Sequence, residues 1–432
     1  MGTLDRRQFL SRTLGAGAVA SAAHLRLPRL GDDPAASAAT TRSALEHRRL
    51  QRGVRGTSSV APGPFVLCTL SGGNDGLNTV VPYADSNYLA LRGDLAIPAD
   101  QVLALGTVDG TELGFHPSLT GLYSLFEAGQ VAVILGVEYP DPNYSHFLSM
   151  DIWQTAELSG DGTAGWIGRW LDATGTDPLR ALSVGPTLPT AFVGQRQQAS
   201  TLNDSTSGNS QVPGQNPQFI SSYAKLMTPY TGALVLSNAV ASAGSNLLTV
   251  GNAAETALNA ESVPTNVSGR NAGDIGNQFD IVAELIEYGL PTQAYGVSWG
   301  SFDTHSDQLQ THASLLSQLD AAVQNFMGVF PTPVAGKNPV VMMHSEFGRR
   351  PNANGSAGTD HSSASVVIVV GPGVKGGFYG AQPSLAKLDP YGNLVYTTDF
   401  RTIYATILEE VLDYGSASTV LGGNFTPIPF LN

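Results

Sequence analysis

Five short apolar runs, spaced by helix-like stretches and each bordered by a glycine-rich polar motif, constrain this 432-residue chain more than any other feature. They cover residues 65–70, 131–137, 293–298, 340–343 and 366–370. Runs of this length, closed by turn residues, suit strands buried on both faces. Helical patterns lie between them at about 119–127, 275–288 and 308–330, and one at 400–412 closes the body. Strands alternating with helices predict an α/β fold: a central, mostly parallel sheet with helices on both faces. Residues 195–273 break the alternation. Their first part is crowded with Ser, Thr, Asn, Gln and Gly, then come helix-like stretches at 218–227 and 234–258, so a polar and helical insertion or cap is expected there.

The charge is split along the chain. Residues 1–55 hold ten Arg and four acids, which leaves residues 56–432 with 12 basic and 31 acidic groups, a net of −19. A body so acidic repels phosphate backbones, and nucleic acid is excluded as a partner. No run of about 20 apolar residues occurs, so no transmembrane span is expected. One cysteine, Cys68, leaves no disulfide framework and no cysteine-based metal site. Arg6-Arg7 followed by Phe9-Leu10 and a weakly apolar Ala/Gly stretch resembles a twin-arginine export signal over residues 1–23. Residues 24–60, without periodicity, read as a disordered linker. A periplasmic or extracellular protein, carried by the twin-arginine translocation machinery, is therefore expected.

In open α/β sheets, ligands sit beyond the carboxyl ends of the strands. Polar residues collect there in this chain: Ser71-Gly72-Gly73-Asn74-Asp75-Gly76, Asn143-Tyr144-Ser145-His146-Phe147, Phe302-Asp303-Thr304-His305, and His344-Ser345-Glu346-Phe347-Gly348-Arg349-Arg350. Gly358-Thr359-Asp360-His361-Ser362 comes just before the fifth run. Carboxylates and imidazoles meeting on one edge suit a divalent cation. Each motif has a plainer reading. Asp75 beside Gly76 shapes a turn, Glu346 and Arg349 form a local ion pair, and Ser145 caps a helix. As a nucleophile, Ser145 would gain from the same helix end. His312 reads as structural, His116 as packing, and Trp153, Trp166 and Trp170 as core. No Gly-x-Ser-x-Gly elbow occurs, which argues against an α/β-hydrolase.

These motifs resemble an exported bacterial family catalogued as domain of unknown function 1501. The resemblance rests on Leu70 to Tyr83, Ser145-His146-Phe147 with Asp151 to Thr155, Phe302 to His305, Ser345 to Arg349, and Gly358 to His361. It spans about residues 62–415. That family resembles in turn the alkaline phosphatase-like superfamily of phosphatases and sulfatases, which hold two divalent metals at the carboxyl edge of a sheet. The resemblance implies one alkaline phosphatase-like domain over 61–432. It implies Ser145 as nucleophile, Arg349 or Arg350 at a substrate oxygen, and Asp75, Asp303, His305, Glu346 and His361 as ligands of one or two ions of zinc, calcium, magnesium or manganese. The implied activity is hydrolysis of a small-molecule or polymer phosphate or sulfate ester. One departure stands out: Phe347 occupies the place of a family histidine, which removes a ligand, and His344 is the nearest substitute. The alternative implied by that loss is a non-catalytic descendant that binds or supports partners outside the cytoplasm.

Overall fold

β1 (Phe65–Leu70) runs through the middle of a nine-stranded sheet and shows how the apolar runs are spent. Successive side chains of a strand point to opposite faces. Val66, Cys68 and Leu70 therefore enter one core, while Phe65 and Leu67 enter the other. The computed structural model describes residues 63–202, 217–228, 235–260, 274–331, 334 and 336–432. The expected leader and linker lie outside the described residues, as do 203–216, 229–234 and 261–273 of the expected insertion.

The other strands of the sheet are β5 (Val131–Glu138), β6 (Ala181–Val184), β7 (Ser200–Leu202), β8 (Ala294–Trp299), β9 (Val340–His344), β10 (Ser365–Val370), β11 (Gly377–Tyr379) and β12 (Thr398–Asp399). Their order is β11-β5-β10-β9-β1-β8-β6-β7, with β12 also on β5. Every pairing is parallel except the two made by β10. The reversal matters for the site. Because β10 runs backwards, the residues that precede it reach the same sheet edge as the residues that follow β1, β5, β8 and β9. A separate antiparallel sheet holds β2 (Val80–Val81), β4 (Thr111–Phe115) and β3 (Leu103–Val108). β3 is half exposed and lacks a continuous apolar run, which is why the sequence pattern misses it.

One core lies under helices Thr120–Glu127, Ile275–Tyr288 and Gln308–Val329; the other holds Trp153, Trp166, Trp170, Phe400 and Tyr404. The expected insertion is partly woven into this body. Ser200–Leu202 is an edge strand of the sheet, and Val250, Ala254 and Ala257 of helix Val235–Leu258 join the first core. The closing helix is α-helical over Phe400–Thr406 and then widens, with the Leu412 N–H donating to the Ile407 carbonyl at 2.9 Å. Among the described residues, no helix is long and apolar enough to cross a membrane.

Candidate metal centre

The loops at the sheet edge touch because glycines let them. Gly72 has φ +121°, and a Cβ there would sit 2.4 Å from the Asp303 backbone nitrogen. A Cβ on Gly358 would sit 2.3 Å from the His305 carbonyl. Only glycine permits such contacts. Arg349 then clamps the loops. Its buried guanidinium donates to the carbonyls of Gly73 (2.7 Å), Thr359 (2.8 Å), Phe302 (3.3 Å) and Gly72, and to Asp303 Oδ1. A short antiparallel bridge pairs Arg349 with His361.

Three imidazoles surround Asp303 in one orientation. His146 Nδ1 faces Glu346 Oε1 at 2.7 Å, His361 Nδ1 faces the Tyr144 carbonyl at 2.8 Å, and His305 Nδ1 faces Asp360 Oδ1 at 3.3 Å. Each acceptor favours a proton on Nδ1, the tautomer that leaves Nε2 available to ligate. The Nε2 atoms of His305 and His361 are 2.9 Å apart, and each lies 3.1 Å from Asp303 Oδ1. His146 Nε2 lies 3.5 Å from Asp303 Oδ2, buried and without a hydrogen-bond partner. Ligand atoms of His146, Asp303 and His361 all fall within 4.8 Å of one another. An imidazole cage with each distal nitrogen anchored is the donor set a borderline divalent cation takes.

Protonation follows from the same contacts. Burial would raise the Asp303 carboxyl, but Arg349, His361 and His305 outweigh it and bring it down to about 2. The Glu346 hydrogen bond raises the His146 imidazole, against burial. Burial lowers His361, with Tyr144 and Asp303 opposing. Burial would also raise Glu346, yet hydrogen bonds from His146, Ser345 and Gly72 hold it below the usual carboxylate range.

Not every residue expected here arrives. Asp303, His305 and His361 come together. Glu346 stands behind His146: its Oε1 accepts from the Gly72 N–H at 2.9 Å and its Oε2 from Ser345 Oγ at 2.8 Å. Asp75 is elsewhere and fully buried. Its carboxylate caps helix Gly76–Thr79, accepts from the N–H groups of Leu77 and Asn78, and takes Arg92 in a two-pronged pair, with Gln308 as a further donor. Those donors occupy both oxygens. Arg349 is buried with its donors engaged by carbonyls and Asp303, and is not turned outward to a substrate. His344 pairs with Thr69 in the sheet and stacks on Trp153 at 4.7 Å. β9 ends at His344, so strand alternation does not set its direction relative to Glu346. The Phe347 ring lies 4.9 Å from His146 and 4.8 Å from His361 and walls the imidazoles from below. Ser145 is exposed next to His146. Its N–H donates to Asn143 Oδ1 at 2.8 Å, and its hydroxyl caps no helix N–H. His312 is buried, with Nε2 2.9 Å from Asn74 Oδ1, and His116 packs edge-on against it.

His146 is the ligand-set member that the sequence motifs contain but do not single out. Its neighbour Ser145 draws the attention, and His146 enters only as part of the motif Asn143 to Phe147. Arg92 and Gln308 carry no sequence cue at all, since their contact with Asp75 is set by tertiary packing.

A family model described as Protein of unknown function (DUF1501) matches residues 132–413. No curated protein matches the chain. Among solved structures, the chain is similar to the Streptococcus pyogenes phosphoglycerol transferase GacH in complex with sn-glycerol-1-phosphate, at 7% identity and a TM-score of 0.39, over 93% of this chain and 90% of that one. It is similar to the C-terminal periplasmic domain of EcEptC from Escherichia coli in complex with Zn, at 9% identity and a TM-score of 0.34, over 73% and 75%. It is also similar to the lipoteichoic acid synthase LtaP from Listeria monocytogenes, at 8% identity and a TM-score of 0.33, over 87% and 81%.

Proposed function

This chain belongs to the family described as Protein of unknown function (DUF1501), and from that premise we propose that it is an exported hydrolase of phosphate or sulfate esters, alkaline phosphatase-like in fold, working with one divalent ion. One observation carries the reading: three imidazoles, each anchored through Nδ1, present Nε2 to the single carboxylate of Asp303. His146, Asp303, His305 and His361 would hold the ion. Three nitrogens and one oxygen suit zinc better than calcium or magnesium, which prefer oxygen ligands throughout. When bound, such an ion polarises an ester oxygen and lowers the pKa of a nearby hydroxyl.

The chain's own residues supply the rest. Glu346 and the Tyr144 carbonyl keep the imidazoles in the ligating tautomer. Arg349 positions Asp303 and does not touch the substrate. Ser145, exposed and free of capping duty, is the proposed nucleophile: its oxygen attacks phosphorus or sulfur, the alcohol leaves with a proton, and water then cleaves the seryl ester. Asp75, neutralised by Arg92, and Phe347, which offers no ligand atom, support one ion and not two. Export through the twin-arginine pathway, supported by Arg6-Arg7 and the stretch behind them, would carry the protein out folded with its ion in place.

Elemental mass spectrometry of the purified protein tests this. One equivalent of metal is expected, with none in Asp303→Ala or His361→Ala. Hydrolysis of 4-nitrophenyl phosphate or sulfate should accompany the ion and vanish in Ser145→Ala. Absence of metal, or two equivalents, would overturn the one-ion centre. An unchanged rate in Ser145→Ala would remove the nucleophile. Failure of the ion-loaded protein to cleave either ester would leave a binding protein.

A further inference from the structure

Two features beside the centre have no role in the site described above. The first is a cation. Arg350 is half-buried; its Nε is buried without a hydrogen-bond partner, and its guanidinium makes no ion pair among the described residues. Its backbone N–H donates to the Asp360 carbonyl at 2.9 Å, which places the residue one position from His361 across the bridge. A buried donor left unpaired is costly. Such a group is retained where something else satisfies it.

The second is a pair of exposed rings. Phe147 is 87% exposed and Tyr391 is 74% exposed, the two highest values for large apolar side chains among the described residues. Singly exposed apolar residues are ordinary on a protein surface. These two, however, both border the site. Phe147 follows His146 directly. Tyr391 sits in the turn from Asp389 to Asn393, closed by donation of the Tyr391 and Asn393 N–H groups to Asp389 Oδ1 at 2.8 Å each. Asn393 ties that turn to the centre: its Nδ2 donates to Tyr144 Oη at 2.9 Å, and its Oδ1 accepts from Ser362 Oγ at 3.0 Å. Tyr144 and Ser362 flank the ligands His146 and His361. Burial opposes it, but hydrogen bonds from Asn393 and Tyr391 and the Arg350 charge hold the Asp389 carboxyl low.

We propose that Arg350, Phe147 and Tyr391 form the specificity rim of the site and select an ester carried on a saccharide ring. Arg350 takes the anionic group, and the exposed rings stack on the flat C–H face of the sugar. Asp360, 56% exposed in its side chain, keeps Oδ2 clear of hydrogen bonds among the described residues and accepts from a ring hydroxyl. The chemistry favours a sugar over a lipid chain, because Arg350 and Asp360 need polar partners that an acyl chain cannot supply. One unpaired guanidinium in a body of net −19 favours a single anionic group per binding event over a dense polyanion.

This inference rests on the ester-hydrolase reading, and the test separates the two. The ion-loaded full chain is given a hexopyranose 6-phosphate and 6-sulfate beside the matching glycerol esters, and kcat/KM is compared. The pyranose is expected to be preferred by about tenfold or more, a difference of one 1.4 kcal/mol step. Phe147→Ala and Tyr391→Ala should bring that ratio towards one, and Arg350→Gln should raise KM for every anionic ester. Leu89→Ala, exposed on helix Ser86–Arg92, should leave the ratio where it was. A ratio near one in the unaltered protein, or one untouched by either aromatic change, overturns the inference while leaving the hydrolase standing. If nothing is hydrolysed, calorimetric titration with the pyranose esters decides. Binding weakened by Tyr391→Ala sustains the rim, and no binding removes it.

Discussion

Asp75 and Asp303 are both carboxylates in loops that follow neighbouring parallel strands, β1 and β8, and their fates are opposite. Asp75 is fully buried and its oxygens are filled by Arg92, Gln308 and two backbone N–H groups. Asp303 has a side chain 45% exposed, faces three imidazoles, and has the unpartnered Nε2 of His146 across from it. Position at a sheet edge brings a carboxylate to where an ion belongs. What decides whether it can hold one is how many protein donors already sit on it. A buried guanidinium on both oxygens makes a carboxylate part of the scaffold; Arg349 takes only Oδ1 of Asp303, and its Oδ2, facing His146 and solvent, stays free for chemistry.

The largest effect that tests this contrast is in stability. Arg92→Met strands the Asp75 carboxylate as a buried, unpaired charge, and breaking such a pair costs roughly 3–5 kcal/mol. Urea unfolding should report that loss while elemental analysis still finds the ion. Asp303→Asn should do the reverse, with a smaller stability change and no ion. A cost below about 1 kcal/mol for Arg92→Met, or loss of metal with it, would break the comparison and return Asp75 to the centre.

A smaller effect sharpens the other side. Glu346 meets His146 at Nδ1, 2.7 Å away, and is not among the residues proposed to hold the ion. Replacing such a supporting carboxylate typically weakens metal affinity 10–100-fold. Glu346→Gln should show this in competition with a chelator, with stoichiometry still at one. Complete loss of metal would make Glu346 a ligand, and unchanged affinity would make the Nδ1 anchor irrelevant.

The contrast also explains what could be read in advance. The five buried strands were legible because burial on both faces demands unbroken apolar runs, and each lies within one or two residues of its run. The placing of Asp303 and His305 at the edge followed from strand ends, whereas that of His361 came only with the family resemblance. The reversed direction of β10 was not legible, though it is what brings His361 to the edge. Nor was the saturation of Asp75, since Arg92 is 17 residues away on a helix whose only signal is local. Sequence spacing places backbone; it does not count the donors around an oxygen. His146 shows the same limit, for its role depends on Glu346, 200 residues on.

The smallest effect concerns the serine beside it. Two roles compete for Ser145, and they differ in stability as well as rate. A serine that caps a helix contributes about 1 kcal/mol, which its alanine variant loses. Here the hydroxyl at the start of helix His146–Thr155 makes no capping bond, and Asn143 turns the chain by accepting from the Ser145 N–H instead. Ser145→Ala should therefore unfold within about 0.5 kcal/mol of the unaltered protein, as surface changes do. Asn143→Ala, which removes the oxygen that turns the chain, should cost more. A Ser145→Ala loss near 1 kcal/mol would mean that the hydroxyl caps the helix in solution. It would then belong, like Asp75, to the scaffold.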